Sequence, residues 1–129
     1  MNKEIKKIQR FTDLLVWQEG HKLVLMIYKE TKNFPSEEKY GLTDQMRRAV
    51  VSFTSNIAEG FSRRSSKEKH YFYSNAKGSM TELQNQLLIA KDVGYLSKEY
   101  FDECAEQSII ANKLLTGLLQ ATRQKRYES

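Results

Sequence analysis

The chain predicts an all-α fold, an antiparallel up-and-down four-helix bundle. Three observations carry this. No strand-like alternation of apolar and polar residues persists anywhere. Four segments of about 20–29 residues repeat apolar side chains at the helical spacing of three and four, each about 30–40 Å long as a helix. The breaks between them are short, and there is one proline in 129 residues. Short connections between long helices force neighbours to run antiparallel.

The first helix is expected from about Asp13 to Lys32. Trp17, His21, Val24, Leu25 and Tyr28 follow one face, and Leu14, Leu15, Val16, Leu23, Met26 and Ile27 widen the apolar surface beyond one stripe. His21, on that face, reads as an interior histidine. Asn33-Phe34-Pro35 ends the helix, because proline disfavours helical backbone in the residue before it.

The second helix is expected to start near Ser36, with Glu37 and Glu38 at the positive end of the dipole, or at Thr43-Asp44 beyond Gly41. Leu42, Met46, Ala49, Val50, Phe53, Ile57 and Phe61 form its core stripe, with Gly60 near the same direction. Arg48, Ser52, Ser55 and Glu59 share the opposite face, with Asn56 at the boundary. That face is either solvated, or Asn56 and Glu59 bond a neighbouring helix while Arg48 pairs with Glu59 or Glu82.

The third helix opens with Ser65 and Glu68 in the spacing of a capping box. Phe72, Ala76, Ser79, Met80, Leu83, Leu87 and Ala90 make its core face, and Gly94 suits the position past its end. A second stripe, Tyr71, Asn75, Gly78, Glu82, Ile89 and Val93, runs beside the first. A mid-helix glycine such as Gly78 costs about 1 kcal/mol against alanine and is usually kept where another backbone comes close. The fourth helix follows Ser97 as N-cap and runs to about Thr122, with Phe101, Cys104, Ala105, Ser108, Ala111, Leu115, Leu118 and Leu119 inward and Ile109, Ile110 and Leu114 broadening the face. The surplus apolar surface of the first and third helices is either wide core contact or a face for another subunit.

Charge divides the chain into a basic segment 1–10, a bundle domain 11–122 and a basic tail 123–129. The net charge of +5 comes from the two ends, since residues 11–118 hold equal numbers of basic and acidic side chains. Within the body, residues 63–70 are locally basic. Candidate phosphate-binding residues are therefore Arg47, Arg48, Arg63, Arg64, Lys67 and Lys69, with Arg123, Lys125 and Arg126 in the tail. The cluster Arg63 to Lys69 stands beside a helix N-terminus, which itself attracts phosphate, and Tyr71 and Tyr73 offer rings for stacking on bases.

No signal peptide or bilayer-spanning run is expected, which predicts a cytoplasmic protein without a membrane partner. The single cysteine, Cys104, forms no intrachain disulfide and reads as a small buried residue between Glu103 and Glu106. No cofactor, metal site or catalytic residue is expected. Gln18 and Lys67, three before His21 and His70, exclude the Glu-x-x-His pairs of a di-iron bundle, and zinc spacing and a phosphate-cradling loop are missing. Arg64 with His70 superficially resembles the Arg/His pair of HEPN-type ribonucleases, a weaker alternative.

The stretches LTDQMRRAVVSFTSNIAEG (42–60), AKGSMTEL (76–83) and VGYL (93–96), with FTDLLVWQEGHKLVLMIYKETKNFP (11–35), resemble the four-helix-bundle family of 23S ribosomal RNA intervening-sequence proteins. Asn56, Glu59 and Gly60 carry one motif, and Gly78, Ser79 and Glu82 the other. Phe53-Thr54 departs from the Ile-Pro often found in relatives. The resemblance implies a bundle that assembles into ring-like homopentamers. It is similar also to the accessory protein of diversity-generating retroelements, a pentamer that binds nucleic acid and partners a reverse transcriptase. It implies no catalytic residues. The expected function is a non-enzymatic oligomer associating with RNA or DNA backbone, with a protein-only scaffold as the alternative.

Overall fold

The computed structural model describes the backbone of residues 7–128 and the side chains of 7–123. Four helices follow in order: α1 (Leu15–Thr31), α2 (Leu42–Ser62), α3 (Ser66–Asp92) and α4 (Lys98–Glu128). Packing joins α1 to α2, α2 to α3, α3 to α4 and α4 back to α1. The helices thus ring the core in chain order, as an antiparallel up-and-down bundle requires. Among the described residues there is no strand.

The core stripe of α2 is the expected one. Met46, Val50, Phe53 and Ile57 are fully enclosed, and they face Ala76, Met80, Leu83 and Leu87 of α3 and Cys104, Ala111 and Leu115 of α4 in one hydrophobic cluster. Removing such apolar surface from water is what drives the helices together.

The inward face of α1 differs from the expected one. Val16, Gly20, Leu23, Ile27 and Thr31 are buried, while Leu25, Tyr28 and His21 are exposed. At about 100° of rotation per residue, the face built on Trp17, His21 and Tyr28 lies about 100° from the true core face. Gly20 decides the orientation. A Cβ there would stand 2.6 Å from a ring carbon of Phe53, so the glycine lets the Phe53 ring pack against the α1 backbone. His21 is not interior; it stacks on Trp17 at 4.7 Å between centroids.

Helix ends follow local chemistry. Ser65 Oγ accepts from the Glu68 amide at 3.1 Å, which caps α3. At its other end Gly94 takes φ +88°, and the amides of Tyr95 and Gly94 donate to the carbonyls of Ala90 and Lys91. This is the Schellman arrangement, which needs a residue at ease with positive φ. Ser97 Oγ accepts from the Tyr100 amide at 3.2 Å at the start of α4.

Of the two expected starts of α2 the later one, beyond Gly41, is the observed one, since Ser36–Glu38 forms only a 3₁₀ turn and α2 begins at Leu42. Glu38 is used instead as the remote cap, its Oε1 accepting the Leu42 amide at 3.1 Å. At the far end α4 continues to Glu128 rather than stopping near Thr122, so the basic tail is helical in continuity with the bundle.

Candidate nucleic-acid interface

The basic residues singled out by sequence do not form one patch. Arg47 and Arg48 lie sixteen residues before Arg63 and Arg64 on α2, about 24 Å along its axis. Arg47 is structural. Its guanidinium stacks 4.6 Å from the Tyr28 ring centre, donates to Thr31 Oγ1 at 2.9 Å and reaches the Tyr28 carbonyl, holding α2 to the end of α1. Arg48 is exposed and pairs with Asp44 at 2.9 Å, one turn back, and not with Glu59 or Glu82.

Of the two alternatives for the polar face of α2, the structure favours the solvated one: Arg48, Ser55 and Glu59 are exposed, and neither Asn56 nor Glu59 makes the cross-helix bond. Asn56 donates to the Ser52 carbonyl at 2.8 Å and to Ser52 Oγ at 3.1 Å, within its own helix. Ser52 and Ser79 then share a 2.8 Å hydrogen bond, which crosses from α2 to α3. Glu59 stays on α2, accepting from Ser62 and pairing with Arg63 at 3.6 Å. Glu82 is exposed.

At the α2–α3 junction the roles divide again. Lys69 Nζ donates to the carbonyls of Gly60 and Phe61, at 3.2 and 2.8 Å. Both carbonyls belong to the last turn of α2, the negative end of its dipole where a cation is favourable, and that of Gly60 also accepts the Arg63 amide at 3.2 Å. Arg63 lies 4.8 Å from the Phe72 ring centre. Arg64 and Lys67 are exposed, and among the described residues no hydrogen bond or ion pair engages them; the same holds for Arg123 on α4. Lys125 and Arg126 lie outside the residues whose side chains are described.

Close packing accounts for one glycine of this region. A Cβ on Gly60 would meet Tyr73 Cε1 at 2.5 Å. Tyr73 is therefore buried against the α2 backbone, with its phenol pushed above its ordinary value by desolvation. It is not available to stack on a base. Tyr71 is, being exposed with its ring edge-on to Phe72 at 5.2 Å.

The topology does what the sequence order hides. The bundle brings residues 8–14, the α2–α3 junction and late α4 to one end. Ile8, Leu14, Arg64, Lys69, Leu118 and Thr122 line one cleft there. At this end residues 7–19, 58–70 and 119–123 place seven basic side chains against four acidic ones. The opposite end, residues 27–46 and 88–102, has five basic against seven acidic. A body that is neutral in sum is polarised along its axis.

A groove of about 510 Å³ extends from the basic end between α3 and α4, lined by His70, Ser74, Lys77, Gly78, Thr81, Thr116, Leu119, Gln120 and Arg123. Arg64 belongs to the cleft on the other side of α3's first turns, so it and His70 do not converge on one cavity. The expected close approach at Gly78 is not made within the chain, since nothing lies within 4 Å of a Cβ built there.

The remaining candidate chemistry is quiet. Cys104 is buried, and burial with Glu30 and Glu103 nearby pushes its thiol up to about 11. It stays protonated, hence a poor nucleophile. Among the described residues no group of three His, Cys, Asp or Glu side chains could hold a metal ion, and no helix is long and apolar enough to cross a membrane.

Comparison with known proteins agrees with this architecture. A crystal structure of a protein of unknown function from the S23 ribosomal protein family of Bacteroides thetaiotaomicron superposes with a TM-score of 0.77 at 21% identity, covering 84% of this chain and 98% of that one. At that identity the likeness concerns the fold. No curated protein matches the sequence. The family described as 23S rRNA-intervening sequence protein matches over residues 12–117, from the 3₁₀ turn before α1 to the last third of α4, and the chain belongs to that family.

Proposed function

We propose that this protein is a non-enzymatic, oligomeric bundle whose basic end docks on the phosphate backbone of RNA or DNA in the cytoplasm. The observation that carries the reading is the axial separation of charge. Arg64, Lys67 and Arg123 lie toward one end without carboxylate partners among the described residues, while the neighbouring Arg63 and Lys69 are held in place by Glu59 and the α2 carbonyls. Phosphate binding by such residues releases counterions and is independent of base sequence. The ring of five copies implied by the family resemblance would multiply a few contacts per subunit into a large number.

The test is a salt titration of binding to a structured RNA and to duplex DNA. Affinity is expected to fall linearly on a log–log scale, with a slope of about 0.9 per phosphate neutralised on a duplex. An Arg64→Ala/Lys67→Ala variant is expected to bind more weakly and with a shallower slope. An unchanged slope would remove this end from the interface.

A protein-only scaffold is the second reading. It is favoured by the apolar residues left exposed on the other half of α3 and α4, Leu88, Ile89, Val93, Ile109 and Ile110. It predicts oligomers by light scattering with no salt-sensitive nucleic-acid binding.

A further inference from the structure

We infer that the groove between α3 and α4 is a nucleotide site, taking one nucleoside phosphate unit with its phosphate on Lys77 and Arg123 and its base against His70. The inference rests on the nucleic-acid reading only for the case in which that unit belongs to a strand. Four observations support it. The groove, at about 510 Å³, is of the size that encloses small ligands. Its lining holds two permanent cations and a histidine but no carboxylate, so the complementary occupant is an anion. The hydroxyl of Thr116 already accepts a hydrogen bond from Lys77 Nζ at 3.3 Å, which fixes the ammonium at the groove wall. And the histidine ring is a flat surface of the kind on which unstacked bases lie.

Gly78 supplies the floor. The close contacts of Gly20 and Gly60 are made inside the chain, with ring carbons 2.6 and 2.5 Å from a built Cβ. Gly78 has open space in the same position and sits in the groove. With no side chain there, the α3 backbone is left open to a ligand at the groove floor.

The shared chemistry, a nucleoside monophosphate, has two sources: a free nucleotide or an internal unit of a strand. The full-length chain is tested with adenosine monophosphate by calorimetry and with a fluorescein-labelled single-stranded 12-mer of uridylate by anisotropy, in parallel with light scattering. Gly78→Leu fills the groove and, with better helix propensity, is expected to raise Tm while lowering affinity at least tenfold. Lys77→Met/Arg123→Met leaves the groove open and is expected to lower affinity at least fivefold at unchanged molecular mass.

Binding of adenosine monophosphate alone, lost in both variants, supports the groove with a free nucleotide and removes the strand as its source. Binding of the 12-mer, lost in both variants, supports it with a strand. Binding of the 12-mer that both variants keep and Arg64→Ala/Lys67→Ala loses overturns the groove and leaves the proposed function standing. Failure of the wild-type chain to bind either probe overturns the groove inference, while the proposed function is decided separately by the salt titration on structured RNA and duplex DNA. A change of mass in Gly78→Leu with no ligand bound by the wild-type chain assigns the groove to a second copy, and likewise overturns the inference.

Discussion

The two ends of the bundle use their charged residues in different ways. At the acidic end, charge is spent on closing loops. Glu38 accepts from the Leu42 amide and, at 2.8 Å, from Tyr95 Oη, tying the α1–α2 loop to the α3–α4 loop. Phe34 packs on the Tyr95 ring at 5.4 Å, and Lys91 lies 4.4 Å from the Phe101 ring centre. At the basic end only part of the charge is spent in this way. Lys69 caps α2 and Arg63 covers Phe72, but Arg64, Lys67 and Arg123 project outward. The basic end thus carries both kinds of charge side by side, cations used by the fold and cations left over from it. The leftover set is where an outside anion finds least competition.

The largest effect expected from this contrast is on binding. Reversing Arg64 and Lys67 to Glu would set like charges against phosphate, which costs several kcal/mol, so affinity for structured RNA should fall on the order of 100-fold in an anisotropy assay. The matched reversal of Lys32 and Lys39 at the acidic end should change it by no more than about twofold. Equal losses from both pairs would erase the distinction between the ends.

A smaller effect is expected on stability. Gly60→Ala forces a methyl group into the Tyr73 ring, and overpacking of this kind costs about 1–3 kcal/mol, read as a lower midpoint in urea. The neighbouring Gly78→Ala should instead stabilise by up to about 1 kcal/mol, because the space is open and alanine is the better helix former. If both substitutions destabilise alike, the packing around the two glycines is not as described.

The smallest effect belongs to the acidic end and is a matter of pH. Hydrogen bonds from the Leu42 amide and the Tyr95 hydroxyl hold the Glu38 carboxyl below its ordinary value. A carboxyl depressed in the folded state contributes stability above its unfolded value, near 4.5, and loses it as pH falls through the lower folded value. Wild-type Tm should therefore drop on acidification below about pH 4.5, and Tyr95→Phe should show a shallower drop over the same window. Parallel curves would mean the clasp does not form in solution.

How far the sequence could be read follows from where each signal resides. The helices, the core stripe of α2, the Ser65 and Ser97 caps and Gly94 were legible because their causes are local: spacing, a hydroxyl three residues before an amide, a glycine past a helix end. The orientation of α1 was not. Its two apolar faces, Trp17–His21–Tyr28 and Val16–Leu23–Ile27, have equally good helical spacing, and period alone does not say which one packs. Gly20 was the available clue, since a glycine on one face marks where a large ring such as Phe53 can approach.

The site was legible in composition and hidden in arrangement. The cluster at 63–69 is visible as a run, but the use of Lys69 and Arg63 by the fold depends on the carbonyls of α2 and on Phe72 being brought alongside. Arg47 looks like any surface arginine until Tyr28 and Thr31, sixteen to nineteen residues away, fold against it. The polarity of the bundle joins residues from both termini to a loop in the middle of the chain, a sum that requires the topology.

The central claim, that the basic end is the face presented to nucleic acid, is tested most directly by amide NMR of the chain titrated with a structured RNA at low salt. Shift perturbations are expected at residues 60–70 and 119–123 and at the N-terminal residues 7–10, fading as salt is raised. Perturbations centred on the loops at 32–41 and 92–98, or spread evenly over the bundle and indifferent to salt, would contradict it.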